Sequence, residues 1–127
     1  MPLSYSVSVP DWRVRIRGSG CLNTADFEEY FRASRSDPAV SPDMSRWIDF
    51  RGVTGFPNTE DIWRWVRTLQ ASGSMPVSRV AVLVDSDLAM GVSMQFAGLT
   101  AMSERLQVFR DEQPAEAWLR SGELPDS

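Results

Sequence analysis

The sequence predicts one α/β domain built around a mostly parallel sheet. Predicted strands and helices alternate along the chain, which favours parallel strands joined by right-handed crossovers, with helices on both faces. Residues 80–84 are all apolar, and such a run is typical of a central strand covered on both faces. The length of 127 residues fits a single domain over 1–127, with a core at about 5–120.

The first two strands are predicted to form a β-hairpin. Residues 4–9 and 12–17 both alternate apolar and polar side chains with a period of two. Pro10 and Asp11, a turn-forming pair, separate the two runs. The second run carries three arginines on one face: Arg13, Arg15 and Arg17. We expect that face to be exposed to solvent or to meet an anionic partner.

The rest of the chain divides into three further strands and four helices. Turn-forming residues separate the segments, and each predicted helix begins at a residue type that caps helices. The remaining apolar side chains recur at helical spacing in the helices and run together in the strands. In order, the sequence predicts a helix over 24–35, a strand over 46–53, a helix over 59–71, a strand over 79–85, a helix over 88–103, a strand over 106–110 and a helix beginning after Asp111.

Composition excludes several classes of function. Seventeen acidic residues oppose thirteen arginines, for a net charge of −4, whereas a nucleic-acid-binding domain needs a basic surface. Histidine is absent, which excludes His-based acid/base catalysis, Ser-His-Asp triads and nearly every catalytic zinc site. Lysine is absent too, which excludes Schiff-base chemistry and a Walker-type phosphate loop. We therefore expect a protein that is not an enzyme and that holds no cofactor or metal.

Cysteine usage and hydropathy predict a cytoplasmic protein. Cys21 is the single cysteine, so no internal disulfide forms and a reducing compartment is expected. No apolar run approaches the ~20 residues of a membrane span, and the first residues lack the pattern of an export signal.

Candidate binding residues collect where predicted strands end. In α/β sheets, ligands bind beyond the carboxyl ends of the strands, next to helix N-termini. The loop over 51–59 contains Thr54 and Thr59 there, as a candidate phospho-acceptor or anion site. The alternative is that Asn58 and Thr59 only cap the following helix.

Two acidic residues follow the predicted central strand. Asp85 and Asp87 stand two apart, and Asp111 follows the next strand. Clustered carboxylates can bind a divalent cation or act as an acid/base pair. The alternative, which we favour, is that these aspartates cap helices, so no metal site is predicted.

A surface for a partner or ligand is predicted around the third helix. Met90 and Met94 lie near Gly91, and flexible methionines beside small residues suit an adaptable surface, although they also suit core packing. Arg51 and Phe56 from the 51–59 loop, together with Asp85 and Asp87, complete this predicted surface. Trp63 lies off the apolar stripe of its helix, and exposed aromatics often mark interfaces, so a homodimer is expected as well.

Two stretches resemble small bacterial proteins of the SpoIIAA-like, or STAS/SEC14-like, group. They read RVAVLVDSDLAMGVSMQF and LQVFRDEQPAEAWL. The matching residues are Ser86, Asp87, Gly91, Val108, Phe109, Arg110, Asp111, Ala117, Trp118 and Leu119. The stretch SDPAVSPDMSRWIDFRGVT, with its Asp-Pro loop before Asp-Phe-Arg, is similar to the group as well.

The resemblance implies an N-terminal hairpin followed by β-α units in a right-handed superhelix. Relatives that antagonise anti-sigma factors are partner-switching modules with a phosphorylated Ser or Thr after the third strand, a region that corresponds here to 54–59. This sequence departs from their Asp-Ser-Ser/Thr-Gly loop, because it has Arg51, Gly52, Val53, Thr54 and Gly55.

The sequence thus predicts a non-enzymatic regulatory or protein-interaction module with an unidentified protein partner. It would use the 51–59 loop and the methionine-bearing helix. The alternative is a carrier of a small apolar or lipid-like ligand, which predicts an apolar cavity beside Met90 and Met94.

Overall fold

A five-stranded sheet forms the centre of the molecule. The computed structural model describes residues 2–72, 78–99 and 104–121. In order across the sheet, its strands are β1 (Leu3–Ser8), β2 (Arg13–Gly18), β4 (Ser45–Asp49), β6 (Val80–Leu83) and β7 (Leu106–Phe109). β1 pairs antiparallel with β2, and the other three pairings are parallel, so the predicted hairpin and mostly parallel sheet are confirmed.

The strand predicted over 46–53 is wrong at its carboxyl end. β4 ends at Asp49, because the chain turns there. The Asp49 carboxylate accepts a hydrogen bond from the backbone N–H of Arg51 at 3.0 Å, and Gly52 has φ +101°, a conformation that strands do not allow. After this turn, β5 (Val53–Gly55) pairs in parallel with β3 (Gly20–Cys21) in a separate small sheet. The sequence analysis did not predict β3.

Within the described residues, four helices flank the sheet, as predicted. They are α1 (Thr24–Ser36), α2 (Thr59–Ser72), α3 (Asp87–Leu99) and α4 (Glu112–Ser121). Asn23 caps α1 in a capping box with Asp26, and Asn58 caps α2 by accepting from the N–H of Asp61 at 2.8 Å. The predicted end of the third helix, 100–103, lies outside the described residues.

The two faces of the sheet are covered unequally. One face packs with α1, α2 and α3 around a core that includes Val14, Val82 and Ala89. Among the described residues, the other face packs with α4, through Leu83 and Trp118 among others. No helix within the described ranges is long and apolar enough to cross a bilayer.

Arg13 corrects the expectation of a solvent-exposed arginine face on β2. Its side chain is buried under α4 and forms an ion pair of 2.6 Å with Glu116. Arg15 and Arg17 are exposed as expected. Arg13 differs because Glu116 of α4 lies against its guanidinium.

Candidate functional site: an apolar cavity beneath three helices

A cavity of about 460 Å³ lies between the sheet and the three helices α1, α2 and α3. Most of its wall is aliphatic or aromatic. The sheet contributes one face of alternating residues, and each helix contributes its inward side chains. The apolar lining residues are Leu3, Ile16, Phe27, Tyr30, Phe31, Val40, Pro42, Ile48, Phe50, Phe56, Pro57, Ile62, Trp65, Leu69, Val80, Val82, Val92, Phe96 and Leu106.

Aromatic rings connect the three helices around this cavity. The Phe27 ring of α1 lies 5.0 Å from the Trp65 ring of α2, and the Trp65 ring lies 5.5 Å from the Phe96 ring of α3. Each pair contributes about 0.5–1.5 kcal/mol beyond simple burial. The helices therefore contact one another through large side chains, while space stays open between those side chains and the sheet.

Arg46 is a buried cation in the cavity wall. It lies in β4, with 9% of its surface exposed. Its Nη1 donates to the carbonyl oxygens of Met44 at 2.6 Å and Ser41 at 3.5 Å. Burial lowers the pKa of Arg46, while the Tyr30 hydroxyl and the more distant Asp43 raise it. An arginine side chain keeps its charge in proteins, so this region of the wall is cationic.

Tyr30 is the phenol beside this guanidinium. Burial raises the pKa of Tyr30, whereas Arg46 and Ser34 lower it, and the pKa is raised overall. The phenol therefore keeps its proton at neutral pH and contributes no negative charge. Ser34 also lines the cavity, and its hydroxyl donates to the Phe31 carbonyl at 3.1 Å.

Ser93 is a further polar group in the wall. It lies on α3 with 5% of its surface exposed, between the buried Ala89 and Ala97. Its Oγ is buried and has no hydrogen-bond partner among the described residues. A buried hydroxyl without a partner costs about 1–3 kcal/mol, so this atom can gain from a ligand that offers it a hydrogen bond.

Of the residues predicted in the 51–59 loop, Phe56 lines the cavity. Thr54 and Thr59 are both exposed, on β5 and at the first position of α2. Arg51 lies elsewhere, where it donates to Asp49 at 2.9 Å and to Glu112 at 3.0 Å. The hydrogen bonds that Arg51 donates to Asp49 and Glu112 raise its pKa.

The predicted acidic residues do not come together. Asp87 pairs with Arg110 at 2.7 Å, and Asp85 is exposed. Within the described ranges, no group of three or more potential metal ligands is present. Ser86 caps α3 by accepting from the N–H of Ala89 at 3.1 Å.

The cavity lies on a different side of α3 from the one expected. Val92, Ser93 and Phe96 line it, whereas Met90 and Met94 do not. Met94 is 60% exposed, and Met90 packs against the core. Trp63 on α2 is 44% exposed, as its position off the apolar stripe predicted.

Arg46 and Tyr30 were missed by the sequence analysis. One signal was present, because Arg46 alternates with Ile48 and Phe50 on the inward face of a predicted strand. A charged residue in such a register marks either a strand end or a buried functional group. The sequence does not indicate what lies opposite that face.

The sheet order, the covered faces and the cavity define an α/β domain with a ligand-sized space between its sheet and three of its helices. The family profile described as SpoIIAA-like matches residues 13–120, and the chain belongs to this family. No curated protein matches the sequence.

One solved structure is similar in fold over nearly the whole chain. It is an uncharacterised protein of the DUF3478 family with a SpoIIAA-like fold, from Shewanella loihica PV-4. The two chains share 19% identity with a TM-score of 0.62, covering 92% of this chain and 91% of the other. The SpoIIAA-like fold that the sequence resemblance implied is thereby confirmed.

Proposed function

We propose that this protein binds a small, largely apolar molecule in the cavity beneath α1, α2 and α3. The observation that carries the proposal is the cavity itself, of about 460 Å³ with a wall that is mostly aliphatic and aromatic. Ligand pockets in proteins range over roughly 300–1,000 Å³ and have such walls, with a few polar groups that orient the ligand. Arg46, Tyr30 and Ser93 are polar groups of that kind.

Packing energetics support a ligand there. Protein interiors are close-packed, and voids larger than a water molecule are few. An open volume of this size forfeits dispersion contacts along its wall. A ligand that fills it regains those contacts and removes apolar surface from water, at about 25 cal/mol per Å².

Titration with the neutral fluorescent probe N-phenylnaphthylamine tests this function. We expect saturable binding to the wild-type protein at one site per chain. Val92→Phe places a ring in the cavity from α3 and weakens binding roughly tenfold or more. Leu88→Phe is the matched control, because Leu88 is 53% exposed on the same helix and does not line the cavity.

Two results would overturn the proposal. One is a wild-type protein that does not bind the probe. The other is binding that Leu88→Phe weakens as much as Val92→Phe does, which would place the probe outside the cavity. Circular dichroism of both variants verifies that each is folded.

The regulatory and protein-interaction function predicted from the sequence stays a prediction. Thr54 and Thr59 are exposed, so their hydroxyls are accessible to a modifying enzyme. Trp63 and Met94 present apolar surface on the outer sides of α2 and α3. The cavity gives ligand binding the stronger support, because it is a concave, mostly apolar site with its own polar groups.

A further inference from the structure

We infer that the cavity selects amphipathic monocarboxylates, with the ligand carboxylate bound by Arg46 and the apolar body lying along the sheet. This inference rests on the proposed ligand-binding function and specifies the chemical class of the ligand. It follows from the charge of the cavity wall, from where that charge lies and from the neutral groups around it.

The charge of Arg46 is not matched by an acidic side chain close by. Among the described residues, no carboxylate lies within 4.0 Å of its guanidinium. Asp43 is exposed, and its carboxylate accepts from the Ser41 hydroxyl and from Trp12 Nε1 at 3.1 Å. A buried charge without a counter-charge is costly, and an anion that enters the cavity lowers that cost.

Arg46 lies at one end of the cavity, which gives an amphipathic ligand a defined orientation. In the sheet, it is level with Val80 of β6, and Val80 is level with Leu106 at the start of β7. These residues mark the amino ends of the parallel strands. Phe56 and Pro57 line the cavity beyond the carboxyl ends, after β5. A ligand with its head at Arg46 therefore extends its tail toward Phe56.

The groups around Arg46 favour a single negative charge of carboxylate type. One guanidinium offers a planar pair of donors that matches a carboxylate. The adjacent Tyr30 hydroxyl is neutral and adds a further donor. Arg35 also lines the cavity, but its side chain is exposed, so Arg46 is the buried cation of the described wall. A phosphate group carries more charge and has more acceptors than this buried cation and its neutral neighbour can satisfy.

Acidic charge at the other end of the cavity reinforces the orientation. Asp61 lines the cavity from the first turn of α2 and pairs with the exposed Arg64 at 3.5 Å, so this end presents a carboxylate rather than a buried cation to an anionic head. The unpartnered Ser93 Oγ lies in the wall contributed by α3 and can donate to a polar atom of the ligand.

A set of ligands with the same alkyl chain and different heads tests the inference on the wild-type protein. Decanoate, decanol and decyltrimethylammonium compete with N-phenylnaphthylamine at neutral pH. We expect decanoate to bind roughly tenfold to a hundredfold more tightly than decanol, and the ammonium ligand to bind most weakly.

Variants then assign the preference to Arg46. Arg46→Met removes the charge and keeps an apolar side chain of similar length, so decanoate loses its advantage over decanol. Arg32→Met is the matched control, because Arg32 is an exposed arginine on α1 that does not line the cavity. Arg46→Lys retains the charge without the planar fork and should keep part of the preference.

The outcomes separate the two proposals. If the probe and decanol bind but decanoate has no advantage, the inference fails and the proposed function stands. A preference that survives Arg46→Met, or a preference for the ammonium ligand, also overturns the inference. If no ligand or probe binds, the proposed function fails as well. Should Arg46→Met not fold, the wild-type series and Arg46→Lys still decide between these outcomes.

Discussion

Each face of the sheet carries a buried arginine, and the two arginines differ in their partners. Arg13 and Arg46 lie on neighbouring strands, near the same end of the sheet, and point to opposite faces. Beneath α4, Arg13 is paired with Glu116 at 2.6 Å and the apolar side chains pack closely. Beneath α1, α2 and α3, Arg46 contacts carbonyl oxygens and a neutral phenol beside an open cavity. The α4 face supplies its buried arginine with a carboxylate, although Arg13 Nε has no hydrogen-bond partner among the described residues. The other face leaves room for a ligand beside its buried arginine.

The largest expected effect compares a tryptophan from each face. Trp118 on α4 is 7% exposed in the close-packed cluster, and Trp118→Ala should lower the free energy of unfolding by about 4 kcal/mol. Trp65 on α2 is half-buried and borders the cavity, so Trp65→Ala should cost about 2 kcal/mol. Urea unfolding measures both values. Equal losses would mean that the two faces are packed alike.

The second prediction compares the two arginines. Glu116→Ala leaves Arg13 buried without its carboxylate and should lower the free energy of unfolding by about 3 kcal/mol. Arg46→Met should change it by less than about 1 kcal/mol, because an apolar side chain replaces a buried charge that has no acidic partner nearby.

The free energy of unfolding should depend on pH through the Arg13–Glu116 ion pair. The hydrogen bond from Arg13 is the main cause that holds the pKa of Glu116 below its ordinary value of 4.5. The ion pair therefore stabilises the protein above about pH 4.5, and that stability is lost as pH falls through the lowered pKa. Urea unfolding at a series of pH values should show wild type and Glu116→Ala converging in acid. A constant difference would contradict the role given to this pair.

The smallest expected effect concerns two buried serines on the cavity side. Ser93→Ala removes a hydroxyl that has no partner among the described residues and should raise the free energy of unfolding by about 1 kcal/mol. Ser34→Ala, the matched control, removes a hydroxyl that donates at 3.1 Å and should lower it by about 1 kcal/mol. Destabilisation by both variants would show that the Ser93 hydroxyl is satisfied in the unliganded protein.

The site was less predictable than the fold for a physical reason. Phe56 was named as a surface residue and does line the cavity, but the cavity expected beside Met90 and Met94 is lined by other residues of α3. The spacing of α3 does not separate its faces, because apolar or small residues surround most of the helix.

The predicted strand over 46–53 ended early because the Asp49 side chain and Gly52 form a turn, and this local competition overrides strand propensity.

The sequence by itself determined the alternation of strands and helices, the hairpin, the apolar central strand and the family resemblance. Each depends on residue spacing and caps within one segment. Only the tertiary structure decided that Arg13 meets Glu116, 103 positions along the chain, and that Arg46 instead borders a cavity. Burial of a charge depends on which distant helix covers it and how closely that helix packs. Both factors depend on residues that lie far apart in the sequence, so no single segment predicts them.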